Sequence, residues 1–310
     1  RSGMGNYGIR AIAKLSKKNI FEIKTSDLSF SIAPKLNAAG RLADMSLGIK
    51  CLISETQDEA TLYAKQLVSL NNERRFIESG MLETALNSIK DTDDINYSLA
   101  LFNHKWHQGV IGIIASRLKE KYYRPTIIFA KDENGLLKGS GRSIPSFHLR
   151  DALDLVSKAY PELIVTFGGH AMAAGLSIKE SDFSNFSKIF EHTASKLLSE
   201  EDLNLNVEVD DSFLDVDLDY KTVNLINKEI WGQGFPPPLF VDNFNIISQR
   251  IIAEKHNKLY LSKDGISYDA IFFNDDQTQP DRIRAIYSIE VNDFNGAKAV
   301  QLIIKSILDE

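Results

Sequence analysis

The residues of this chain whose types and spacing could do chemistry sit in short glycine-bearing stretches. Phe167-Gly168-Gly169-His170-Ala171-Met172-Ala173-Ala174-Gly175 follows Leu163-Ile164-Val165-Thr166, an apolar run that reads as a buried strand. Paired glycines allow a sharp turn and a close backbone approach to a ligand. His170 stands just past that turn, and exposed amides beside an imidazole can cradle a phosphate oxygen. The same residues also fit a tight strand-to-helix turn with a hydrogen-bonded histidine. Gly139-Ser140-Gly141-Arg142-Ser143 sets two hydroxyls and a guanidinium among flexible glycines. That composition suits a terminal phosphate, although serine–glycine loops without a chemical role share it. Trp106-His107-Gln108-Gly109 leads into a helix whose first amides lack partners, so an anion or a well-packed tryptophan with a structural histidine fits there. Asn37 and Arg41, in Leu36-Asn37-Ala38-Ala39-Gly40-Arg41, could meet a phosphate or simply belong to a capped helix start.

These stretches need elements to position them. A short helical pattern runs from Gly8 to Leu15; Ser31 to Pro34 is expected to be extended before the proline, with a turn through Ala38-Ala39-Gly40. From Ser54 to Ile89 an amphipathic pattern predicts one long helix, capped by Thr56 or Asp58, with Gly80 as its lone breaker. Asn71 to Arg75 reads as its solvated face. Strands are expected at 97–102, 126–130, 136–140 and 163–167. Helices are expected at 110–122, 147–160 and from a Ser181 cap to Leu198. Asn134-Gly135 predicts a type I′ hairpin. Acidic residues 199–235, with a helix near 219–230, lead to Pro236-Pro237-Pro238, which continues neither helix nor sheet. Beyond lie five expected strands, with Asn295-Gly296 marking the last hairpin. The fold class is therefore α/β, with a long connecting helix, a mixed α/β domain and a small all-β barrel of OB type.

Gly168-Gly169-His170 with Ala173-Ala174-Gly175 resembles the signature of the DHH-associated domain of DHH phosphoesterases. Ala33-Pro34-Lys35-Leu36-Asn37-Ala38-Ala39-Gly40-Arg41, Trp106-His107-Gln108-Gly109-Val110-Ile111-Gly112 and Gly139-Ser140-Gly141-Arg142-Ser143 resemble the RecJ family, single-strand-specific 5′→3′ exonucleases. Four blocks in order, with a strand-rich end, cover most of the chain. The resemblance implies hydrolysis of single-stranded DNA from its 5′ end in repair and recombination, with Mn²⁺ or Mg²⁺ activating water. It implies that Gly168, Gly169 and His170 hold the scissile region, His170 being the catalytic candidate. Ser140 and Arg142 would grip the 5′ end, and Asn37, Arg41 and His107 would complete the substrate contacts. Lys35 stands where the family pattern leads one to expect arginine and lacks its bidentate fork. Under this resemblance residues 1–53 end a catalytic region, 54–91 form the connecting helix, 92–235 the DHH-associated domain and 236–310 the OB-type domain. Tyr260, Tyr268, Phe272 and Tyr287 could stack on bases or fill the barrel. Alternatives of other classes are a non-catalytic single-strand-binding scaffold and an oligoribonuclease or nucleotide phosphatase of the superfamily.

Composition bounds these readings. The 310 residues carry a net charge of -6, which argues against nucleic-acid binding by bulk positive charge. Residues 101–175 nevertheless hold ten Lys/Arg against six Asp/Glu and four of the six histidines. The strand-rich end from 236 carries eight Lys/Arg against eleven Asp/Glu, a poor balance for a DNA groove, so protein docking also fits it. No apolar run suffices to span a bilayer. The single cysteine, Cys51, excludes an intramolecular disulfide and fits a buried hydrophobe in a reducing cytoplasm. The chain opens Arg1-Ser2-Gly3-Met4 and holds no Asp-His-His motif or other Asp/His cluster with metal-ligand spacing. It is therefore expected to be the substrate-binding part of a longer protein, with no metal ligands of its own and no cleavage activity alone. Expected partners are single-stranded DNA, other repair proteins, and no membrane.

Overall fold

The computed structural model describes residues 5–21, 23, 25–90, 96–213, 219–232, 235–294 and 297–308. The chain divides into two compact units, residues 1–205 and 206–310.

The first unit is strung along one helix. Helices α1 (Tyr7–Leu15), α2 (Thr25–Asp27), α3 (Ala33–Leu42) and α4 (Ser46–Ile53) precede α5 (Gln57–Lys90). Thr56 Oγ1 accepts from the Glu59 amide at 3.3 Å and caps α5. Its apolar stripe has two halves. Ala60, Ala64 and Leu67 pack with Ala11, Ile12, Ala39 and Cys51 of the preceding helices. Met81, Ala85 and Ile89 pack with Ile111, Ile114 and Leu118 of α6 (Ile111–Tyr122). Gly80 does not break the helix, because packing on both halves outweighs a glycine penalty of about 1 kcal/mol.

Around α6 lies a five-stranded sheet. Its strands are β1 (Leu99–Phe102), β2 (Thr126–Lys131), β3 (Leu136–Arg142), β4 (Thr166–Gly169) and β5 (Ala173–Lys179), ordered β1-β2-β3-β5-β4. Only the β1–β2 pair is parallel. Ile128 and Ala130 face α6. Ile127, Phe129 and Leu137 face α7 (Leu149–Ala159) and α8 (Phe183–Leu197), whose Leu153, Phe186 and Phe190 fill the other core layer. Each fully buried side chain of this kind contributes about 1.5–3 kcal/mol.

In the second unit, α9 (Tyr220–Lys228) is capped by Asp219, whose carboxylate accepts from the Thr222 amide at 2.7 Å. Strands β6 (Phe240–Ile252), β7 (His256–Lys263), β8 (Ile266–Phe273), β9 (Arg282–Phe294) and β10 (Ala297–Leu308) close into the expected barrel, ordered β10-β8-β7-β6-β9. Strand β10 is parallel to β8 and otherwise the barrel is antiparallel. Residues 206–213 group with it: the Asp210 amide donates to Leu239 O and the Val241 amide to Asp211 O.

Several local expectations are corrected. Residues 28–32 form a π-helical turn and α3 starts at Ala33, so Ser31 to Pro34 is helical rather than extended. Pro34 sits in the first helical turn, where its missing N–H costs nothing. Leu36 to Arg41 is consequently helix, not turn. In the β2–β3 hairpin only Gly135 has positive φ, +83°, so the turn is not type I′. Asp132 Oδ1 instead accepts from the amides of Asn134 and Leu136. Leu163 and Ile164 are buried but precede the strand, which starts at Thr166. Ser181 lies in a 3₁₀ turn and makes no cap; its hydroxyl donates to Asp182. Tyr287 is fully buried and Tyr268 and Phe272 pack against the barrel core, leaving Tyr260 as the exposed one of the four proposed stacking rings. Asn295-Gly296 lies outside the described residues.

Candidate functional site

Strand register brings the glycine motifs together. Gly168 pairs with Gly175 and Gly175 with Ser140, so these three residues form one row across β4, β5 and β3. Residues paired across strands share a face of the sheet. Gly168 and Gly175 are exposed, and a Cβ on Gly168 would meet nothing within 4 Å. The row is thus a bare lane of backbone ending at the Ser140 hydroxyl. Internal packing does not demand a glycine at 168, and its absent side chain leaves the backbone open to close approach. Glycines of the opposite face have the reverse reason. A Cβ on Gly139 would lie 2.5 Å from the Phe129 ring, and one on Gly141 2.6 Å from Leu149 Cδ2. The Gly139 to Ser143 stretch is therefore a rigid central strand, not the flexible loop its composition implied.

The paired glycines lie within β4 rather than in a turn after it, and the turn leads to a strand instead of a helix. Gly169 has φ +144°, and a Cβ there would collide with Ala173 O at 2.4 Å. His170 closes this β4–β5 hairpin, its amide donating to Ala173 O at 2.8 Å. The hairpin tip is pinned: Met172 O accepts from the Ser143 amide and Ala171 O from the Leu149 amide. The His170 imidazole is exposed and has no hydrogen-bond partner among the described residues. Arg142 pairs with Ala173 one step from it, at the same end of the sheet.

Arginines close the other side. Arg142 Nη1 donates to Gly141 O at 2.7 Å and reaches Ser140 Oγ at 3.3 Å. Gly112, in the first turn of α6, lets that helix settle on this pair: a Cβ there would lie 2.9 Å from Ser140 Oγ and 3.1 Å from Arg142 Nη2. Arg41 Nη1 donates to Gly109 O at 3.0 Å, while a Cβ on Gly109 would overlap the Arg41 carbonyl. Gly109 thereby holds the C-terminal end of α3 against the turn that enters α6. Among the described residues neither Arg41 nor Arg142 has a carboxylate partner. Burial, and then the Arg41 charge, push the Arg142 guanidinium below its ordinary value. An anion bound beside the two guanidiniums would offset both effects. Asn37 is exposed one helical turn before Arg41, on the same face of α3. His107 is exposed, and its Nδ1 accepts from the Gly109 amide at 3.0 Å. Lys35 donates to Ser31 O at 2.7 Å, and burial followed by the Arg75 charge lowers its pKa.

Sequence reasoning missed the polar cluster behind this site. Of the expected solvated band Asn72, Glu73 and Arg75 are exposed, but Asn71 and Arg74 turn inward to Glu78: Arg74 donates to Glu78 Oε2 and to Asn71 Oδ1, both at 2.8 Å, with its side chain 12% exposed. Arg117 of α6 reaches the other Glu78 oxygen at 3.4 Å. Arg74 is lowered chiefly by burial, opposed by Glu78 and reinforced by Arg75, Arg41 and Arg117. Arg41 of α3 thus lies near enough for its charge to act on both Arg142 of β3 and Arg74 of α5, the latter neutralised by Glu78. The described residues contain no group of three or more His, Cys, Asp or Glu able to hold a metal ion, and no helix is long and apolar enough to cross a membrane.

Residues 94–196 match the DHHA1 domain and residues 209–306 the RecJ OB domain, so the chain is of the DHHA1–OB class. Single-stranded-DNA-specific exonuclease RecJ of Haemophilus influenzae is 40% identical over 97% of this chain and 55% of its own length. The RecJ of Escherichia coli is 38% identical over 99% and 55%. RecJ of Thermus thermophilus in complex with Mg²⁺ superposes with a TM-score of 0.80 at 25% identity, covering 98% of this chain and 46% of that one. This chain belongs to the RecJ family, and it spans about half the length of the curated relatives it matches. RecJ structures have been solved with Mg²⁺ and with Mn²⁺.

Proposed function

We propose that this chain is the substrate-gripping part of a metal-dependent exonuclease that hydrolyses single-stranded DNA from the 5′ end. One observation carries this reading: among the described residues Arg142, bonded to the Ser140 hydroxyl, and Arg41, whose charge acts on it, have no carboxylate partner at the end of an exposed backbone lane. A 5′-phosphate is a dianion-sized ligand that two guanidiniums and a hydroxyl can hold with charge-assisted hydrogen bonds. The bare Gly168–Gly175 lane lets the strand run close to the sheet, and His170 at its end reaches the first phosphodiester. The divalent ion would polarise the scissile phosphate and activate water. The described residues supply no cluster that could hold it. This chain binds, orients and neutralises, and does not cleave alone. Residues 1–53 end the catalytic region, α5 connects it to the DHHA1 domain, and the barrel follows. A RecJ OB match at 209–306 favours this reading over a small phosphatase of the superfamily. We place its action in the cytoplasm, where the buried free thiol of Cys51 stays reduced.

The test is binding of this chain to a single-stranded oligonucleotide with and without a 5′-phosphate, across a salt series. The phosphorylated end should bind more tightly, and Arg142→Ala should abolish that preference, a loss on the order of 1.5–3 kcal/mol for the charged hydrogen bonds removed. An affinity that falls with salt yet ignores the end would reduce the site to a generic strand-binding surface.

A further inference from the structure

Beside the phosphate site the long helix carries a feature that the grip does not use. A groove of about 630 Å³ runs between α5 and the loop before α6, with Phe76, Gly80, Asn103, Lys105 and Trp106 among its lining residues. Phe76 is 83% exposed, an unusual position for a phenylalanine midway along a helix. One turn further, on the same face, Gly80 has open space where a Cβ would be, with nothing within 4 Å. Glycine at an interior helix position costs about 1 kcal/mol relative to alanine. No neighbour in the chain requires it there. An exposed aromatic face next to a missing side chain makes a slot for a flat group. Trp106 adds apolar wall from the loop side and directly precedes His107 of the phosphate site.

We infer that this groove is a base subsite, in which an unpaired nucleobase of the bound strand stacks on Phe76 over Gly80. This inference rests on the strand-binding reading above and extends it from phosphates to bases. Charge favours that occupant. Lys105 is exposed and makes no ion pair among the described residues, so the loop wall offers a cation to the adjoining phosphate. Glu83 lines the helix wall, where an uncharged base meets no repulsion. Stacking of this kind is tolerant of sequence, as an exonuclease progressing along a strand requires.

The chain has two tryptophans, so in a Trp231→Phe background Trp106 is the sole reporter beside the groove. The probes are a 5′-phosphorylated decathymidylate and an abasic backbone of the same length and charge. Decathymidylate should quench Trp106 fluorescence saturably and bind about tenfold more tightly than the abasic strand. Phe76→Ala should remove that difference, and so should Gly80→Leu, which fills the slot while preserving the helix by circular dichroism. Equal affinity for both strands, or a Phe76→Ala variant that still discriminates, overturns the base subsite while leaving the phosphate grip standing. Binding of neither strand defeats the phosphate grip and the subsite together. Should Phe76→Ala change the sedimentation of the free chain and leave decathymidylate binding intact, the groove belongs to a second copy and the inference falls.

Discussion

Gly112 shows how a single missing methyl can serve a binding site. Helix propensity alone favours alanine there by up to about 1 kcal/mol. The added Cβ would, however, lie 2.9 Å from Ser140 Oγ and 3.1 Å from Arg142 Nη2, closer than such atoms settle. Both neighbours are ends of side chains, so the fold can yield and the phosphate grip cannot stay as it is. Gly112→Ala should leave the melting temperature unchanged or raised while weakening binding of a 5′-phosphorylated oligonucleotide about tenfold, the scale of one charged hydrogen bond. Anisotropy titrations beside a thermal melt measure both, and undiminished affinity would show that Ser140 and Arg142 do not hold the phosphate. At this scale the sequence was informative about chemistry and silent about reasons. Ser140, Arg142, Gly168 and His170 could be singled out from their types. That Gly139 is forced by Phe129 while Gly168 is left bare follows only from register, which pairs residues tens of positions apart.

Helix α5 holds the arginines in place through one buried carboxylate. Glu78 lies between Arg74 and Arg117, and the Arg74 and Glu78 side chains are only 12% and 11% exposed. Removing one partner of such a pair leaves an uncompensated buried charge, which typically costs about 3–5 kcal/mol. Glu78→Ala should therefore be among the most destabilising single changes in the first unit. Lys158→Ala breaks an exposed pair with Asp154, and should change stability by less than about 1 kcal/mol. Chemical denaturation of the two variants side by side tests the contrast, and similar losses would mean that Glu78 is far better solvated than its burial indicates. The helix itself was readable from its apolar stripe. Of its polar band, Asn72, Glu73 and Arg75 are exposed as expected, but Asn71 and Arg74 were misjudged because polarity was weighed above position: 67, 71, 74, 78, 81 and 85 recur at helical spacing, so both fall with Glu78 on the buried stripe. The β4–β5 hairpin was misread for a different reason. Leu163-Ile164-Val165 is apolar enough to pass for a strand, while the true strand contains two glycines, which strand preferences disfavour.

Across the whole molecule, the strand-rich architecture of the second unit was legible, yet the start of that unit was not. Its acidic leading residues look like linker, yet their backbone bonds to Leu239 and Val241 and the Phe213 ring against Phe240 attach them to the barrel. The barrel also holds a buried polar knot that no local pattern announces. Tyr287 Oη donates to Asp242 Oδ2 at 2.6 Å, and Lys263 and Ser212 donate to Oδ1 at 2.6 and 2.7 Å. Burial first, then the hydrogen bond and charge of Asp242, raise the Tyr287 pKa far above that of free tyrosine. The unfolded chain can ionise this tyrosine above about pH 10, whereas the folded barrel keeps it neutral. Stability from this group is therefore complete below the unfolded pKa and is lost as pH rises beyond it, by up to about 1.4 kcal/mol per pH unit. At neutral pH, Tyr287→Phe should cost about 1–3 kcal/mol, because Asp242 loses a donor. The difference between the wild-type chain and the variant should then narrow steadily above about pH 10, since phenylalanine has no proton to release. In a Trp106→Phe background, denaturant unfolding followed through Trp231, which belongs to this unit, reads the barrel transition. A difference that stays constant into the alkaline range would mean that Tyr287 ionises in the folded barrel and that the Asp242 knot opens before the fold does.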